Sequence, residues 1–235
     1  QEIINAITEQ EKMTDELMAS LMKAVKLQEL EDLYLPYRPK KRTRAMIARE
    51  RGLEPLADMI LNDTVTSGNP LDIAREYISE DVPTPEDAIQ GASDIVAEIV
   101  SDSADFRATL RKRLWKEGFI QAELVEDNEH KDQFLQYNEY AEPVRQMPSH
   151  RILAVNRGEK LGALKLALTV PDESYIQYMV RGITKNEQSI FSDVKASAVA
   201  DAYKRLMFPA LERDIRNELT ESADEQAIKV FGVNL

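Results

Sequence analysis

Leu30 to Leu61 reads LEDLYLPYRPKKRTRAMIARERGLEPLADMIL, and its reading decides the rest. An apolar helix end runs into Tyr34-Leu35-Pro36-Tyr37-Arg38-Pro39. Each proline fixes its own φ and pushes the preceding residue towards an extended backbone, so the helix stops near Tyr34. Arg38, Lys40, Lys41, Arg42, Arg44, Arg49 and Arg51 then place seven cations in fourteen residues, opposed only by Glu50. The chain as a whole carries −12, so everything outside this +6 island sums to −18. Thr43 is in position to cap a helix to Arg51, with Gly52 as its C′ residue, and Leu53–Leu61 reads as a second short helix with Pro55 in its first turn.

Working outward, residues 1–33 show helical spacing, with Thr14 as a cap and Leu17, Met18, Leu21, Met22 and Val25 as one apolar stripe. Residues 62–70 (NDTVTSGNP) are a loop by composition and the expected boundary between an N-terminal helical segment, 1–62, and a helical scaffold, 71–235. Thr84-Pro85-Glu86-Asp87 starts a helix whose buried face is expected at Ile89, Ile95, Val96, Ile99 and Val100. A further helix runs to Gly118. Phe119–Val125 and Leu164–Val170 are strand candidates, and 134–148 is broken by two prolines. Ser149 is expected to cap a helix ended by Gly158, Pro209 to kink or break the helical run 187–219, and Ser222 with Glu225 to open a last helix. The expectation is a mainly α fold: a multi-helix scaffold of short antiparallel helices with a minor β component.

Composition narrows the chemistry. Without cysteine there is no disulfide, thiolate metal site or thiol nucleophile. His130 and His150 lack metal-ligand spacing, and the eight glycines form no phosphate-binding loop. Asp94 with Glu98 and Asp214 with Glu218 share helix faces, as solvated surface pairs ordinarily do, and Glu212 with Arg216 reads as a plain helix pair. The expectation is no enzyme, no catalytic or metal residue and no cofactor. No run is long and apolar enough to span a bilayer and no signal peptide is visible, so the expected location is the cytoplasm, with no membrane partner.

The candidate binding residues are Arg38, Lys40, Lys41, Arg42 and Arg44, with Tyr34 and Tyr37 beside them for base stacking. The alternative is that these cations cover an acidic face of this chain or of a following domain. Residues 43–61 also echo a helix-turn-helix, but Glu54 and Asp58 on the second helix would repel phosphate, so the pair reads as a packing motif.

Three stretches carry a resemblance: Leu30–Ala57 (LEDLYLPYRPKKRTRAMIARERGLEPLA), Met147–Gly158 (MPSHRILAVNRG) and Ala202–Leu219 (AYKRLMFPALERDIRNEL). They resemble the bacterial Tex transcription accessory family, a relative of eukaryotic elongation factors built on the same core. The resemblance implies a fragment of a longer protein: the N-terminal helical part, without the YqgF-type RNase H-like, helix-hairpin-helix and OB-fold RNA-binding modules of such proteins. It implies a scaffold in transcription or RNA metabolism, with nucleic acid as partner of the full-length protein, weakly or not at all of this piece. The other implied partners are the C-terminal domains of the same chain and the transcription machinery. No catalytic residue carries over. The alternative reading is a helical protein-interaction module without direct nucleic-acid contact.

Overall fold

The computed structural model describes residues 2–39 and 41–233, with the side chains of 230–233 left out. The chain is mainly helical with a small antiparallel sheet, and it divides into two compact units: Gln1–Ala108 with Glu173–Phe208, and Thr109–Asp172 with Pro209–Leu235. The loop 62–70 lies inside the first unit.

The first unit begins with α1 (Glu2–Glu9), α2 (Asp15–Lys23) and α3 (Leu27–Tyr34), followed by a 3-10 turn, Leu35–Tyr37. Then come α4 (Arg44–Glu50), α5 (Glu54–Asn62), α6 (Pro70–Ala74) and α7 (Pro85–Ser101). Capping sets these starts as the sequence implies: the hydroxyls of Thr14, Thr43 and Thr84 accept from the N–H of Leu17, Met46 and Asp87. The central helix is α7, against which α4, α5 and α6 pack. Its apolar buried face is Ala88, Ala92, Ile95, Val96, Ala97 and Val100: Ile95, Val96 and Val100 are buried as expected, whereas Ile99 is 40% exposed and Ile89 only half-buried. Small residues bring neighbouring backbones close: a Cβ on Gly91 would stand 2.4 Å from Leu53 Cδ1. Of the expected N-terminal stripe only Leu21 is buried, while Met22 and Val25 face solvent.

The unit is completed by α10 (Asp172–Ile183), α11 (Ser192–Asp201) and a π turn, Ala202–Met207. Pro209 does not break the helical run. The Phe208 N–H bonds to Tyr203 O five residues back, and the wider turn accommodates a proline that has no N–H to give.

The second unit takes in α8 (Ala104–Glu117) from Thr109 onward, β1 (Phe119–Leu124), β2 (Tyr140–Pro143), α9 (Ser149–Lys160), β3 (Leu164–Thr169) and α12 (Phe208–Val233) from Pro209 onward. The sheet order is β2-β1-β3, with Ala122 opposite Tyr140 on one side and Leu166 on the other. Ile120, Ala122, Leu164 and Leu168 alternate inward. The edge strand β2 ends in a proline, which an edge tolerates because one row of N–H groups is unused there. Gly158 does not end α9, because its missing Cβ leaves room for Leu164 and Phe134; Gly162, at φ +70, takes the left-handed position instead. Nor is Ser149 the cap, since Pro148 precedes the helix and its carbonyl accepts from Arg151 and Ile152. Ser222 and Glu225 lie within α12 because the buried stripe Leu211, Ile215, Leu219, Ala223 carries the helix straight through them. Among the described residues no helix is long and apolar enough to cross a membrane.

Candidate nucleic-acid interface

The basic island is presented by the 3-10 turn, the loop after it and α4. Pro36 sits at the start of the turn, and Arg38, held extended before Pro39, leaves it for solvent. The turn is anchored by Gln10, whose Nε2 donates to Tyr37 O at 2.9 Å. Arg38, Lys41, Arg42 and Arg44 are all exposed, as is Arg51. Lys40 lies outside the described residues.

The cations are not equivalent. Arg42 reaches Glu50 at 3.0 Å, an exposed pair that solvent screens. Arg49 turns inward: its Nη1 donates to Glu98 Oε1 at 2.8 Å, and its Nε stands 3.5 Å from Glu54. The Thr43 hydroxyl donates to the other Glu98 oxygen at 2.9 Å while capping α4. Glu98 therefore holds the start and the end of α4 onto α7. Arg38, Lys41 and Arg51 have no side-chain partner among the described residues. Tyr34 and Tyr37 are half-buried, and Tyr37 lines a cleft of about 710 Å³ with Lys12, Leu33, Pro36 and Glu98, so each ring offers only part of its face.

Of the acidic pairs, Glu218 is exposed as expected, but Asp94, Glu98 and Asp214 are half-buried. Asp94 and Glu98 keep only 11% and 13% of their side chains exposed, and both face arginines: Arg205 stands 3.6 Å from Asp94, Arg49 2.8 Å from Glu98. In the second unit Asp214 meets Arg111 at 3.2 Å. There Glu212 accepts from the β3 N–H of Leu168 at 2.9 Å, and Arg216 pairs with Glu159, so these two do not form a helix pair. Among the described residues no three His, Asp or Glu side chains gather as metal ligands do.

Two buried ion pairs escaped the sequence reading. Arg107 Nε donates to Asp32 at 2.8 Å, tying α8 to α3. Lys195, 1% exposed, donates to Asp63, to Leu61 O at 3.0 Å and to Ile183 O at 3.4 Å. Asp63 ends α5 in the left-handed region (φ 54) and accepts from the N–H groups of Lys185 and Asn186 at 2.8 and 3.2 Å. Burial pushes its carboxyl up, but Lys195 and the two N–H groups outweigh that and hold it below its usual range. The usable signal was placement: Lys195 lies on the buried stripe Phe191, Ala198, Val199, Ala202 of α11, where a lysine needs a partner.

The family model described as Tex central region-like matches residues 66–231. The chain belongs to the Tex family. The Bacillus subtilis (strain 168) protein YdcI is 44% identical over 240 residues, covering 100% of this chain and 33% of the relative. The transcriptional accessory protein Tex of Neisseria gonorrhoeae is 39% identical over 246 residues, 99% of this chain and 31% of its own length. The human S1 RNA-binding domain-containing protein 1 is 27% identical over 250 residues, 99% of this chain and 24% of its own. The chain thus spans about a third of the bacterial relatives it matches.

Proposed function

We propose that this chain is a non-catalytic helical scaffold of a Tex-like transcription accessory protein and that its basic loop touches the phosphodiester backbone when the whole protein engages RNA or DNA. The observation that carries this reading is the exposure of Arg38, Lys41, Arg42 and Arg44 on a proline-stiffened loop and the start of a capped helix, in a chain otherwise strongly acidic. Cations so placed neutralise phosphates and release counterions, which gives binding without base readout. The names of the gonococcal and human relatives, transcriptional accessory and S1 RNA-binding, point the same way. The −18 carried elsewhere opposes a polyanion, so this chain binds weakly and loses its ligand at moderate salt. The reading needs no cofactor, places the protein in the cytoplasm and assigns the remaining domains of the longer protein as its neighbours.

A second reading rests on Met22, Val25 and Leu27, which are 73%, 92% and 70% exposed at the turn between α2 and α3 and suit a protein partner. Titration of labelled RNA and duplex DNA over a range of salt separates the two. The first expects Arg38→Gln/Lys41→Gln/Arg42→Gln/Arg44→Gln to abolish weak binding. The second expects that variant to behave as wild type and Met22→Ser/Val25→Ser to disrupt a protein complex.

A further inference from the structure

Arg44 does not end the basic surface. The α4 helix and the π turn both pack on α7, which carries Asp94. Its Oδ1 is buried without a hydrogen-bond donor, and the Arg205 guanidinium stands 3.6 Å from it. Arg44, on α4, is close enough to act on the same carboxyl electrostatically. Arg44 and Arg205, about 160 residues apart in sequence, therefore both act on one carboxylate, and Arg205 stands beside it. A buried carboxylate draws a guanidinium group towards it, and here Asp94 holds that of Arg205 beside α7. Their heads stay accessible: Arg44 is exposed, and the Arg205 side chain is 34% exposed. Lys204, next in the turn, is exposed and has no partner among the described residues. Lys204 and Arg205 lie on the π turn Ala202–Met207, a distortion common at functional sites.

We propose that Lys204 and Arg205 of the π turn are a second phosphodiester contact, continuous through Arg44 with the basic loop, and that Asp94 is its positioning residue. The proposal rests on the nucleic-acid reading above and extends the surface by one element. Arg205 now spends Nε and Nη2 on Asp201, at 2.9 and 2.5 Å. A phosphate presents the same two-oxygen geometry, so backbone binding exchanges Asp201 for phosphate at Arg205 while Asp94 keeps the guanidinium in place. Asp201 therefore competes with the ligand.

The test is titration of fluorescent single-stranded RNA, single-stranded DNA and duplex DNA against the chain at several salt concentrations, with melting curves alongside. Lys204→Gln/Arg205→Gln is expected to weaken binding and reduce the slope of log K against log salt by roughly 1.4–1.8, two contacts' worth. Asp201→Asn is expected to tighten binding severalfold relative to Glu80→Gln, an exposed acid outside the surface; an Arg205 with only a structural role would give no such gain. If the double variant melts early, Lys204→Gln alone is read, with an expected change of roughly 0.7–0.9. If the loop variant Arg38→Gln/Lys41→Gln/Arg42→Gln loses binding while the π-turn variants keep the wild-type slope, the proposal is overturned and the loop reading stands. If the π-turn variants weaken binding and the loop variant does not, the loop reading falls and the π-turn surface remains. If wild type does not bind, or no variant alters its binding, both fall.

Discussion

The cations around α4 and the lysine at the heart of α11 carry the same charge in opposite surroundings. Arg38, Lys41 and Arg51 stand in solvent without partners among the described residues, and Arg42 has only a screened surface pair. Lys195 is sealed among Asp63 and the carbonyls of Leu61 and Ile183. The exposed set leaves its charge available to a ligand and adds little to folding. The buried lysine has no charge to offer outward, and removing it strands a carboxylate where water does not reach. Clustering in sequence therefore marked cations that, Arg49 apart, stand exposed, whereas a solitary lysine in an apolar stripe marked one that is buried and paired.

The largest expected effect breaks the buried side of this contrast. Lys195→Met should cost about 3–5 kcal/mol, the range for leaving a buried charge without its partner. Asp63→Asn/Lys195→Met should cost clearly less than the two single changes added together, since the pair is one unit. Chemical denaturation of the four proteins measures this, and additivity would mean that the pair does not act as drawn.

Acid sharpens the same point. The Asp63 carboxyl is held below its ordinary 3.8, so between the two values the unfolded chain binds the extra proton and stability rises with pH. Its contribution is complete above 3.8 and is lost as pH falls through the folded value. Asp94 has the opposite sign: burial lifts it above 3.8, Arg205 and Arg44 only partly offsetting, so its ionisation takes stability away as pH rises through that raised value. Asp63→Asn should therefore flatten the acid limb of the stability curve, and Asp94→Asn should steepen the net rise that remains. Denaturation midpoints from pH 2 to 7 check both.

A smaller effect lies at the seam between the two uses. Thr43 caps α4 and donates to Glu98, so Thr43→Ala should cost about 1–2 kcal/mol. Neutralising Arg38, Lys41, Arg42 and Arg44 together should scarcely move the melting temperature. If the four neutralisations cost more than Thr43→Ala, the loop cations are structural and the contrast fails.

What could be read from the sequence follows from how local each determinant is. Thr14, Thr43 and Thr84 cap helices through a hydroxyl and an N–H three residues on, so the starts of α2, α4 and α7 were legible. The end of α3 at Tyr34 and the extended Arg38 before Pro39 were legible, but Leu35 stays right-handed helical before Pro36, so the 3-10 turn Leu35–Tyr37 was not. Gly158 misled because its missing side chain serves tertiary packing on Leu164 and Phe134, and Pro209 because a π turn, its hydrogen bond spanning five residues, absorbs it. Edge strand β2 was hidden by its own proline. The basic island was visible in the sequence, but that Arg49 faces Glu98 depends on α7, about fifty residues further along the chain.

The central claim, that the exposed loop cations meet phosphate, is tested most directly by the salt dependence of RNA and duplex DNA binding. Wild type and Arg38→Gln/Lys41→Gln/Arg42→Gln/Arg44→Gln are titrated in parallel at low and moderate salt. The account predicts weak wild-type binding, insensitive to base sequence, with a log–log salt slope steeper than the variant's by roughly 2.8–3.6 for four contacts. Identical binding curves for the two proteins, at equal melting temperature, would contradict it.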